Sequence, residues 1–159
     1  MFSGCTSLTE SPELPATELA DSCYTYMFYG CTSLISNYVG ESLSDEQELY
    51  NERFKNLLPA TTLAKSCYAY MFAGCKSLTE IGSIEATELA ESCYAYMFKD
   101  CTSLTSIPEL SATVLVPSCY EGMFSGCLGL TTIGIIKATT LVESCYAHMF
   151  EGCKSLTEV

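Results

Sequence analysis

The chain has 159 residues, enough for one domain with a core of its own. Apolar residues make up 48% and charged residues 16%, a balance that excludes a disordered chain. The net charge of −12, with 7 Lys plus Arg against 19 Asp plus Glu and no basic patch, argues against nucleic acid as a partner.

The N-terminus, Met1–Cys5, has neither a basic region nor an apolar stretch and does not read as a signal peptide. No run approaches the ~18–20 apolar residues of a membrane span. Met1–Cys5 is instead a half copy of Ser22–Cys31, which returns as Ser66–Cys75, Ser92–Cys101, Ser118–Cys127 and Ser144–Cys153. Counted from Met-Phe, the copies start at Met1, Met27, Met71, Met97, Met123 and Met149, in steps of 26, 44, 26, 26 and 26 residues. A fixed period of this size marks a solenoid whose coils cannot stand alone and fold as a stack. Both ends fall inside the pattern, so the chain is expected to be cut from a longer array.

Within a copy, the fifth position is Cys, the eighth Leu, the sixteenth and seventeenth Ala-Thr, and the nineteenth Leu. Apolar positions stay fixed while charged ones drift, as expected of a coil with an inside and an outside. The stretch from the eighth to the fourteenth position reads as extended. Thr79 and Ile81, or Thr105 and Ile107, suit a strand, and Pro12, Pro108, Gly82 and Gly134 end or turn it. One short parallel strand per coil follows, stacked at about 4.8 Å.

The Ser-Cys-Tyr stretch predicts a short helix. Ala20, Cys23, Tyr24, Met27 and Cys31 fall at three- and four-residue steps. Pro117 sets its start, with Ser at the twenty-second position as an alternative N-cap. Gly30, Gly74, Gly126 and Gly152 supply a left-handed stop, and Asp100 takes that place in one copy.

Residues 37–54 interrupt the period. Ser44 to Gln47 matches a capping box, acids open the segment (Asp45, Glu46) and bases close it (Arg53, Lys55). A single amphipathic helix is expected there. As the only break in the pattern, it is a candidate functional segment through Glu48, Tyr50 and Arg53.

The 11 cysteines form two rows, at the fifth and twenty-third positions. The Cys-x7-Cys spacing lacks the paired knuckles of a zinc ribbon. Buried thiol rows fit a small inward residue at both positions. Disulfides between stacked coils are the alternative, since equivalent Cα atoms about 5 Å apart lie within bridging range. Tyr26, Tyr70 and Tyr96 form another row, which ends as Gly122 and His148. It is a candidate partner-binding strip, or amphipathic packing with wet hydroxyls. His148 is the only histidine and has no placed nucleophile, so no triad can be built and no catalytic or cofactor-binding residue is expected. The acids lie on outward positions without a dense Asp-x-Asp-x-Asp loop, so no calcium site is expected.

The phase-locked pattern of Met-Phe-x-Gly-Cys-x-Ser-Leu-Thr, Pro-x-Leu-Pro-Ala-Thr-x-Leu-Ala and Ser-Cys-Tyr-x-Tyr-Met-Phe resembles the BspA-like leucine-rich repeats of bacterial surface proteins, in their 26-residue variety. The resemblance covers everything except the insertion. It implies a right-handed leucine-rich-repeat solenoid of α/β class, one domain over 1–159 with 37–54 inserted. It also implies a non-catalytic adhesion module, on a cell surface or secreted, that binds protein or glycan partners. A structural spacer in a longer surface or phage fibre protein is the alternative. The strand signature departs from the ordinary Leu-x-x-Leu-x-Leu and reads Leu-x-x-Ile-x-x-Leu, which implies shorter strands.

Overall fold

A computed structural model of the chain describes residues 1–35 and 58–157. The inserted segment and its expected helix, with Glu48, Tyr50 and Arg53, lie outside the described residues. The described part is a stack of coils, each bonded to the next in the 26-residue register. Tyr68 N–H donates to the Cys93 carbonyl at 3.0 Å, Tyr94 N–H to Cys119 at 3.0 Å and Tyr120 N–H to Cys145 at 3.0 Å. Across the insertion the register holds, with Tyr24 N–H on the Cys67 carbonyl at 2.9 Å.

The expected helix in each coil is not there. Residues 21–30, 65–74, 91–100, 117–126 and 143–152 are continuous turn, and no helix occurs among the described residues. Every fourth residue of this ribbon is left-handed. Ser22, Tyr26 and Gly30 have φ of 57°, 57° and 69°, and Ser92, Tyr96 and Asp100 repeat the pattern at 54°, 55° and 58°. An α-helix cannot hold such residues. The three- and four-residue steps read as a 3.6-residue helix fit a four-residue turn repeat equally well over ten residues. The left-handed reading of Gly30, Gly74, Asp100, Gly126 and Gly152 holds, but as part of a running ribbon rather than a helix end.

The hydrogen bonding shows why the ribbon wins. Alternate residues divide the work. Cys23, Thr25, Met27 and Tyr29 donate three residues back within their own coil. Ser22, Tyr24, Tyr26, Phe28 and Gly30 donate to the carbonyls of Lys65, Cys67, Ala69, Met71 and Ala73 on the next coil. A helix would keep its N–H groups for itself and leave coil-to-coil contact to side chains. The ribbon spends about 1–2 kcal/mol on each left-handed non-glycine residue, and its cross-coil bonds offset that cost.

The extended side is also reduced. Its pairing is parallel, as expected, but appears as single bridges: Thr62 with Glu88, Ile84 with Leu110, Ser106 with Thr132, and Leu110 with Ile136. Gly134 shows how close the backbones run. A Cβ there would stand 2.5 Å from the Pro108 carbonyl oxygen, so only glycine fits.

The core is built from rows. Phe2, Phe28, Phe72, Phe98, Phe124 and Phe150 stack with ring centroids 5.3–6.0 Å apart. Tyr24, Tyr68, Tyr94, Tyr120 and Tyr146 make a second stack at 5.6–5.8 Å. Met71, Met97 and Met123, with Leu34, Leu78, Leu104 and Leu130, fill the space between and are fully buried. The hydroxyls of Tyr68, Tyr120 and Tyr146 are buried without a hydrogen-bond partner. Burial drives the Tyr68 and Tyr120 phenols far above their usual range.

The cysteines are free thiols. Both rows are buried along the stack, while Cys5 and Cys23 at the first coil are exposed and Cys153 at the last is half-buried. The fifth-position row is bonded as well as packed. The thiols of Cys75, Cys101 and Cys127 donate to the carbonyls of Phe28, Phe72 and Phe98 on the preceding coil, each at 3.2 Å. Each Phe carbonyl also takes the amide of its own coil's cysteine, as Phe72 does from Cys75 at 3.1 Å. The thiol therefore supplies a second, cross-coil bond to an oxygen with a lone pair to spare.

Candidate partner-binding surface

The sequence-predicted tyrosine row forms a strip on the surface. Tyr26, Tyr70 and Tyr96 share the same left-handed backbone, φ 55–57°, which turns their side chains out of the ribbon. Their amides donate to Ala69, Ala95 and Glu121 on successive coils, and this register stacks the rings. Centroids are 4.9 Å apart for both pairs, with planes within 15°. Tyr26 is 46% exposed, and Tyr29, equally exposed, meets it edge-on at 5.6 Å. The rings are thus packed face to face, with Tyr26 exposed and Tyr70 and Tyr96 half-buried.

At Gly122 the row stops. A Cβ on Gly122 would lie 2.1 Å from Cε1 of Tyr96, so the Tyr96 ring covers the backbone where a side chain would stand. The Tyr96 hydroxyl donates to Oε1 of Glu121 at 2.9 Å, and Lys99 Nζ sits 5.7 Å from the ring centroid. Burial, then the Glu121 hydrogen bond and charge, push the Tyr96 phenol up to about 12. Burial and the charges of Tyr26 and Glu121 raise Tyr70 as well. One coil further on, His148 pairs with Glu151 at 3.0 Å in the open. Glu121, Lys99 and Tyr29 were not singled out from the sequence. The signal that could have found them is the row-by-row reading: they flank the one row in which bulky side chains give way to glycine.

The other surface charges are structural neighbours. Asp21 accepts the Lys65 amide at 3.1 Å, and Lys65 pairs with Glu91 at 3.0 Å, an alternating row across three coils. Lys137 binds Glu109 and holds its carboxyl below the usual range. Among the described residues no group of three or more His, Cys, Asp or Glu is placed to hold a metal ion. Nor is any helix among them long and apolar enough to cross a membrane.

Stacked 26-residue coils with a buried leucine in each define a leucine-rich-repeat protein. The family model for the BspA type leucine rich repeat region, in 6 copies, matches residues 1–94 and 65–159, and the chain belongs to that family. No curated protein and no solved structure matches it significantly.

Proposed function

We propose that this chain is a non-catalytic binding module in which the stacked coils act as scaffold and the Tyr26–Tyr70–Tyr96 strip contacts a protein or glycan partner. The observation that carries this reading is the strip itself: large side chains stacked in register at the surface, exposed at Tyr26 and half-buried at Tyr70 and Tyr96, on a scaffold whose interior rows are filled. Membership of a repeat family that is generally non-catalytic, often protein-binding and typically surface-associated supports an adhesive role at the cell surface or in secreted form. Glu48, Tyr50 and Arg53 of the insertion are a second candidate contact. One observation favours a purely structural spacer: the Phe row runs unbroken from Phe2 to Phe150, as a stiff rod would need.

The test is a binding screen of the full chain on purified matrix proteins and a glycan array, beside a chain lacking Asn37–Phe54 and a Tyr70→Ser variant, each with its thermal melt checked. A partner lost with Tyr70→Ser places the contact on the strip. A partner lost with the deletion places it on the insertion. No partner for any chain favours the spacer.

A further inference from the structure

We infer that the tyrosine strip takes a basic, arginine-bearing segment of a protein partner. The inference rests on the binding-module reading and names the chemistry of its ligand. Three observations lead there.

The first is which part of each ring is free. Saccharide rings dock on bare aromatic faces, but here Tyr70 is stacked on both sides at 4.9 Å. The far face of Tyr96 is closed by the Gly122 backbone. What this end of the strip offers is ring edges and hydroxyls. The second is the hydrogen-bond polarity. Tyr96 donates its proton to Glu121, so its oxygen has only lone pairs left to give. A ligand there must bring donors. The third is charge. Glu121 accepts the Tyr96 hydroxyl at 2.9 Å, and Glu121 and Glu151 act on the Tyr96 phenol through their charge. Against these two carboxylates stands one lysine, Lys99, over the Tyr96 ring, and Glu151 lies 3.0 Å from His148. The balance is acidic on a chain of net charge −12.

A guanidinium meets all three conditions. Its N–H groups reach a phenol oxygen and a carboxylate together, and it sheds water more easily than an ammonium. An extended segment lying along the strip would bring such groups to the Tyr96 oxygen and the Glu121 carboxylate.

The probe is a labelled peptide alternating arginine and serine, beside the same peptide with citrulline, which keeps the planar shape and loses the charge. Fluorescence anisotropy with the full chain reads the affinity. The arginine peptide is expected to bind, to lose affinity with added salt, and to be preferred over the citrulline peptide. Tyr96→Phe and Glu121→Gln are each expected to weaken it about threefold to fivefold. Glu88→Gln, outside the strip, leaves it unchanged. Equal binding of the two peptides, or an equal loss with Glu88→Gln and Glu121→Gln, overturns the inference. So does a neutral protein or glycan partner that Tyr70→Ser abolishes, and in that outcome the binding-module reading survives. An arginine peptide that binds as expected, with no partner in the wider screen, supports the inference and counts against the adhesive role.

Discussion

Phe98→Ala tests the stacked-row account most directly, because the same side chain recurs along the row in different company. Phe98 is fully buried, 5.5 Å from Phe72 on one side and 5.6 Å from Phe124 on the other. Phe150 is half-buried and meets Phe124 at 6.0 Å. Truncating a buried Phe costs about 3–5 kcal/mol. Within that, two ring contacts account for about 0.5–1.5 kcal/mol each. Phe150 has one such contact and less area to lose, so Phe150→Ala should cost roughly half as much, about 1–2 kcal/mol. Urea unfolding followed by both circular dichroism and tyrosine fluorescence measures each loss, and the two probes also report whether terminal coils melt first, as repeat arrays allow. A loss at Phe150 equal to or greater than that at Phe98, or a Phe98 loss under about 1 kcal/mol, would show that the row does not carry the core.

Other substitutions check separate parts of the argument. Leu104→Ala removes a fully buried side chain and should cost about 2–5 kcal/mol in urea unfolding, while Glu88→Gln, exposed and still able to accept from Thr62, should stay within about 0.5 kcal/mol. Gly134→Ala forces a Cβ against the Pro108 carbonyl and should cost about 1–3 kcal/mol, seen as a lower melting temperature. In thiol titration the exposed Cys5 and Cys23 should react at once and the buried thiols only on unfolding. Burial pushes Cys67, Cys75, Cys93 and Cys127 from 9.0 up to about 12, so the folded chain holds their protons after the unfolded chain has released them. Their contribution to stability is complete below pH 9.0 and declines as pH rises towards about 12, which urea midpoints across that range will show.

The 26-residue register, the inside and outside of each coil, the buried cysteine rows and the stacking of the outer tyrosines in one row are all legible in the sequence. Each is a matter of which residue recurs at which phase, and a stack translates phase into position: Cys75, Cys101 and Cys127 share a phase and therefore an environment. What a phase cannot tell is the backbone path between two recurrences. Ala20, Cys23, Tyr24, Met27 and Cys31 satisfy a helix and a turn ribbon alike, and only the neighbouring coil decides between them, because it offers carbonyls to half of the amides. That choice puts Ser22, Tyr26 and their counterparts in the left-handed region, which no local preference of Ser or Tyr would suggest. The same holds for the strip. The sequence places Tyr96 and Gly122 in one row, but only the stack shows that the ring closes over the glycine and passes its proton bond to Glu121. Repetition determined where each side chain belongs, and contact between coils determined the backbone that holds it, since those hydrogen bonds exist only once a second coil is present.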